Sequence, residues 1–218
     1  MSVRHNITVP KTANYYTIGN VKTAKTIWIV LHGYGYLAEF FIKKFEPIVN
    51  NETCIIAPEA LSKFYLNGVG VDGRVGASWM TKHQREDEII DYTNYLQLLF
   101  ETVIFENINK NTKVNIVGFS QGGATACRWF ATKKIYCTNL ILWASVFPED
   151  VDFNAIQKTT KVFLVYGTKD EFLTEERVAS VKKQLANSTV DCKIITFDGS
   201  HDIPKEVLVR EAKLNEWG

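Results

Sequence analysis

The chain has 218 residues, 46% of them hydrophobic and 22% charged, with a formal net charge of +1. These values exclude a disordered or collagen-like chain. They leave no basic block to draw it to nucleic acid or an anionic membrane.

The length suits a single α/β domain over 1–218 without a separate cap domain, and a chain of this size buries a large core without metals or disulfides. The first residues, Met1-Ser2-Val3-Arg4-His5-Asn6, lack the apolar centre of a secretory signal. The expectation is therefore a cytoplasmic protein with Cys54, Cys127, Cys137 and Cys192 as free thiols. No apolar run reaches the length of a membrane span, so stable membrane insertion is not expected. No C-x-x-C pair or His/Cys cluster suggests a metal, and nothing calls for a cofactor.

Strands are predicted at 4–9, 14–19, 26–31, 53–57, 113–118, 139–144, 161–166 and 192–197. The first two alternate and lie close together, which reads as an antiparallel N-terminal edge pair. Ile27-Trp28-Ile29-Val30-Leu31 and Val162-Phe163-Leu164-Val165-Tyr166 are continuous apolar runs, as in strands covered on both faces. Residues 58–80 break the rhythm with four glycines among Phe64, Tyr65, Leu66, Trp79 and Met80, and read as a long loop of the functional or mobile kind. A helix is predicted over 82–106, where Ile89, Tyr92, Leu96, Leu99 and Val103 share one face. Thr81-Lys82-His83-Gln84 has capping-box spacing before it, and Glu86, Asp87 and Glu88 suit its positive end. Further helices open at Thr174, an N-cap with Leu173 and Val178 at the staple positions, and at Pro204. Strands alternating with helices predict an α/β fold, a mostly parallel central sheet with helices on both faces.

Val114-Asn115-Ile116-Val117 runs into Gly118-Phe119-Ser120-Gln121-Gly122-Gly123, a G-x-S-x-G sequence at a strand-to-helix junction. Such a turn exposes the hydroxyl of Ser120 and offers the N–H of Gln121 to a developing oxyanion. A serine hydroxyl needs a base. Of the four histidines, His201 follows the last strand, at the carboxyl edge of the sheet where Ser120 is exposed. Asp170 follows the strand at 161–166 and is the candidate to orient that base; Glu171, Asp150, Asp152 and Asp202 are its rivals. The order Ser120, Asp170, His201 is that of the α/β-hydrolase fold. Leu31-His32-Gly33-Tyr34-Gly35 follows an early strand and supplies a second oxyanion donor, the Tyr34 N–H; His32 itself reads as a structural hydrogen bonder.

These segments, with Gly167-Thr168-Lys169-Asp170, Gly199-Ser200-His201, Ala144-Ser145-Val146-Phe147-Pro148 and Ser78-Trp79-Met80, resemble the phospholipase/carboxylesterase family, to which acyl-protein thioesterases belong. The resemblance runs in order through nearly the whole chain. It implies a lidless serine esterase using Ser120, Asp170 and His201, with oxyanion donation from Tyr34 and Gln121. The segment between the strand at 53–57 and the long helix is too short for a cap domain, so a small-molecule ester of short or medium acyl length is the expected substrate. Thioesterase or amidase activity, or a binding role without catalysis, are the alternatives. Tyr36 stands where many members have aspartate and Met80 where many have phenylalanine, two changes beside the expected acyl pocket. Phe64, Tyr65, Leu66, Trp79, Val146, Phe147 and Phe172 are the candidates to line that pocket. A homodimer is left open.

Overall fold

The computed structural model describes residues 1–218 except 69, 71, 72, 133, 153–155, 157, 158 and 187. In chain order its elements are β1 (Tyr15–Ile18), β2 (Thr26–Leu31), α1 (Ala38–Phe41), β3 (Thr53–Pro58), β4 (Ser62–Tyr65), β5 (Val75–Ser78), α2 (Arg85–Leu99), β6 (Lys113–Phe119), α3 (Gln121–Ala131), β7 (Asn139–Trp143), β8 (Lys161–Gly167), α4 (Glu175–Ala186), β9 (Cys192–Phe197) and α5 (Lys205–Leu214).

Every residue of β2 and β3 is buried, because both faces of their sheet are covered. The sheet runs β1-β3-β2-β6-β7-β8-β9, and all its pairings are parallel except β1 with β3. Alternate residues of one strand feed two separate cores. Ile27, Ile29 and Leu31 pack with Tyr92 and Leu96 of α2, Ala126, Trp129 and Phe130 of α3 and Val181 of α4. Trp28 and Val30 pack with Ala38 and Phe41 of α1 and Val207, Leu208 and Ala212 of α5. The mostly parallel sheet with helices on both faces is thus as expected. Among the described residues no helix is long and apolar enough to cross a membrane, and the four cysteines are free thiols.

Three local expectations are corrected. Residues 4–9 form no strand, and the antiparallel partner of β1 is β3, in register from Tyr15 opposite Pro58 to Ile18 opposite Ile55. Val3, Ile7 and Val9 are exposed, so their alternation has no core to face, and Pro10 removes a ladder donor directly after them. The segment is held instead by Arg4 and Asn6, whose side chains donate to Asp87.

The stretch at 58–80 contains a two-stranded hairpin, β4 with β5, in register from Ser62 opposite Ser78 to Tyr65 opposite Val75. Its glycines and short strands hide it from pattern reading. The hairpin docks on the loop after β2, where Gly35 N–H donates to Ala77 O (2.9 Å) and Ala77 N–H to Tyr36 O (3.2 Å).

The helix expected over 82–106 is regular only from Arg85 to Leu99; it continues as a π-helical turn over Phe100–Ile104 and a 3-10 turn over Phe105–Asn107. Gln84 sits at φ +55° and makes no capping-box bond. Glu88 reaches back instead, accepting from the Thr81 N–H and hydroxyl. At α4 the expected cap is made: Thr174 Oγ1 accepts from Arg177 N–H at 3.4 Å, and Leu173 and Val178 join one apolar cluster. Pro204 caps α5 from one residue outside the helix, with ψ 137°.

Candidate active site

Five loops leave the carboxyl ends of adjacent parallel strands and converge. Ser120 lies between β6 and α3 at φ +53°, ψ −117°, a left-handed conformation that non-glycine residues rarely adopt. Its N–H donates to Trp143 O (2.9 Å) and its carbonyl accepts from Gly123 N–H (3.0 Å), so the sharp turn is held from both sides. The turn needs glycine at 122: a Cβ there would sit 2.2 Å from Leu31 O, on the neighbouring strand.

Asp170 and His201 come together because β8 pairs with β9 through Gly167 opposite Phe197. A Cβ on Gly167 would lie 2.1 Å from Gly199 O, so only glycine permits the two loops to approach. Thr168 N–H then donates to Phe197 O (2.8 Å) and Lys169 N–H to Gly199 O (2.9 Å). The Asp170 side chain is fully buried. Its Oδ2 lies 2.8 Å from His201 Nδ1, and its Oδ1 accepts from Phe172 N–H (2.9 Å) and Leu173 N–H (3.3 Å). Both carboxylate oxygens are occupied, which fixes the carboxylate and, through it, the imidazole. The ring of His201 lies between those of Phe119 (5.0 Å) and Phe172 (4.7 Å). Trp143 Nε1 donates to Asp202 O at 2.9 Å and anchors the same loop from below.

The rival carboxylates are engaged elsewhere or exposed. Asp150 accepts from Arg128 at 2.9 and 3.0 Å and from Arg85 at 2.8 Å. The Arg128 guanidinium holds it well below the usual carboxylate range. Asp202 pairs with Lys44 at 2.6 Å. Glu171 and Asp152 are exposed.

Leu31 pairs with Gly118, which sets the His32–Tyr34 loop beside Ser120. Among the described residues neither the Tyr34 N–H nor the Gln121 N–H donates to a protein acceptor. The Gln121 side chain braces the elbow: its Oε1 accepts from Trp79 N–H (3.0 Å) and its Nε2 donates to Met80 O (2.8 Å).

His32 takes the structural role read from the sequence. Its ring is fully buried, with Nδ1 donating to Gly33 O (2.7 Å) and Nε2 accepting from Ala60 N–H (3.1 Å). Burial pushes its pKa down to about 4. An unfolded histidine protonates near 6.5, so between these values the unfolded chain binds more protons and stability falls as pH falls. The loss amounts to about 3 kcal/mol across the window. Denaturant unfolding from pH 7.5 to 4.5 should show this slope in the wild type and a shallower one in His32→Gln; equal slopes would refute the assignment.

One cavity of about 490 Å³ joins these groups, with Gly33, Tyr34, Ser120, Gln121 and His201 in its lining. Of the residues expected to line a pocket, Val146 and Phe172 do so. Trp79 does not: it is buried 5.2 Å from the His32 ring, with Nε1 donating to His32 O (2.8 Å). Phe147 is buried in the core, Phe64 stacks on Tyr34 at 5.0 Å, and Tyr65 and Leu66 are partly exposed at the hairpin. The lining residues that pattern reading missed include Ala124, Leu173 and Arg177. In the sequence Leu173 reads only as a staple residue beside the Thr174 cap, and Arg177 belongs to no motif.

A family model described as phospholipase/carboxylesterase matches residues 14–213. Among solved structures, acyl-protein thioesterase 2 from Zea mays superposes with TM-score 0.72 at 16% identity, over 95% of this chain and all of the other. A carboxylesterase from Bacillus cereus does so with TM-score 0.70 at 15% identity, over 94% of this chain and 95% of the other. A phospholipase/carboxylesterase from Dyadobacter fermentans does so with TM-score 0.65 at 18% identity, over 96% of this chain and all of the other. No curated protein sequence matches the chain. The likeness to these structures shows the α/β-hydrolase fold.

Proposed function

Because the chain belongs to the phospholipase/carboxylesterase family, we propose that it is a serine hydrolase that cleaves carboxylic esters of short or medium acyl length through an acyl-enzyme. The observation that carries this reading is the bonded Asp170–His201 pair opening onto a cavity shared with Ser120. His201 takes the Ser120 proton as the oxygen attacks the ester carbonyl. The N–H groups of Tyr34 and Gln121 receive the charge that develops on the carbonyl oxygen, with no partner among the described residues to give up first. His201 then protonates the leaving alcohol, and water repeats the sequence to release the acid. Asp170 keeps the proton on Nδ1, so that Nε2 is the nitrogen that faces chemistry, and supports the imidazolium that forms.

The test is hydrolysis of p-nitrophenyl esters from acetate to palmitate. Only the short β4–β5 hairpin lies between β3 and α2 among the described residues, too little to cover a long chain, so kcat/KM should peak before the long ones. A steady rise to palmitate would overturn the chain-length reading. The likeness to the Zea mays acyl-protein thioesterase supports a second reading, since a thioester would use the same groups. Paired ester and thioester rates on one acyl chain separate the two.

A further inference from the structure

Among the described residues the cavity lining is apolar or neutral apart from His201 and one fixed charge, Arg177. This arginine occupies the first turn of α4, where the helix dipole disfavours a cation. The neighbouring Glu175 and Glu176 suit that dipole and lie outside the lining. No carboxylate among the described residues pairs with Arg177; its Nη1 donates only to the Phe172 carbonyl, at 2.8 Å. That bond joins two exposed residues at the cavity mouth. The N–H of the same Phe172 donates to Asp170 Oδ1, and its ring packs on His201. Arg177 is exposed, and its guanidinium keeps most of its donors free at the edge of the cavity it helps to line.

We propose that the site selects esters that carry a carboxylate, with Arg177 as the counter-charge that recognises it. This rests on the esterase reading above. Arg177 is a specificity residue, apart from the groups that perform the chemistry. The carboxylate gains a charge-assisted bond at the exposed edge of a wall whose other described residues, His201 aside, carry no charge, where a neutral ester gains only contact.

Two substrate pairs test this. The first is the mono-p-nitrophenyl ester of adipic acid against its methyl-capped counterpart, followed by p-nitrophenol release. The second is 4-acetoxybutanoate against its methyl ester, followed by acetate release. One pair places the carboxylate on the acyl side, the other on the alcohol side. In the wild type, kcat/KM for the anionic member of at least one pair should exceed that of its neutral partner by about threefold to fivefold, as for an exposed ion pair. Arg177→Gln, with an unchanged melting temperature, should bring that ratio close to one. Arg177→Lys should keep part of it, and added salt should shrink it in the wild type. Ratios that are the same in the wild type and Arg177→Gln for both pairs overturn the proposal. Absence of Ser120-dependent turnover on all four esters instead overturns the esterase reading, and the proposal with it.

Discussion

Replacing Ser120 by alanine is expected to lower ester turnover by at least about 10⁴-fold while leaving the fold intact. The loss follows from the proposed covalent route: without Oγ no acyl-enzyme forms, and only oxyanion donation and binding remain. The fold should survive because the bonds that shape the turn run through backbone. Ser120 N–H donates to Trp143 O and Ser120 O accepts from Gly123 N–H, and alanine keeps both. The strained φ of +53° is the same burden for alanine as for serine. Melting temperature and ester hydrolysis, measured together, separate the two effects. A folded variant with near-normal turnover would remove Ser120 from the chemistry.

Replacing Asp170 by asparagine is expected to cost about 10³- to 10⁴-fold in kcat. Asparagine has the same shape, and its single carbonyl oxygen can keep the bonds from Phe172 and Leu173 N–H. Its amide nitrogen then faces His201 Nδ1 and donates to it. That moves the ring proton to Nε2, the nitrogen that should accept the serine proton. Loss of charge also removes support for the imidazolium. A drop of only a few-fold, in a folded protein at neutral pH, would show that another group orients the base. Asp150 is not free to take over, because Arg128 and Arg85 already occupy its carboxylate.

The central sheet was legible because full burial on both faces leaves continuous apolar runs, as in Ile27–Leu31, which an exposed or half-exposed strand could not carry without leaving apolar surface in water. The glycine motifs were legible for a different reason. Gly122 and Gly167 stand where another backbone lies closer than any side chain allows, so the residue type records the packing. Asp170 and His201 could be placed at one edge of the sheet from strand order alone; their 2.8 Å contact depends on the β8–β9 register, which no local pattern specifies.

The pocket was the least legible part. Trp79 and Phe147 have the composition of pocket walls, yet hydrogen bonds and core packing turn them inward. Arg177 gave no signal, because a charged residue in a first helical turn usually faces solvent. The hairpin β4–β5 was hidden by its shortness, and the exposed alternation at 4–9 misled because a period of two marks a strand only where one face finds a core.

Treatment of the native protein with a fluorophosphonate, followed by peptide mass mapping, tests the central assignment most directly. A single adduct on Ser120, lost in Ser120→Ala and slowed in His201→Ala, is the result expected of a serine activated by its histidine. A folded protein that stays unmodified, or carries the adduct elsewhere, would contradict it.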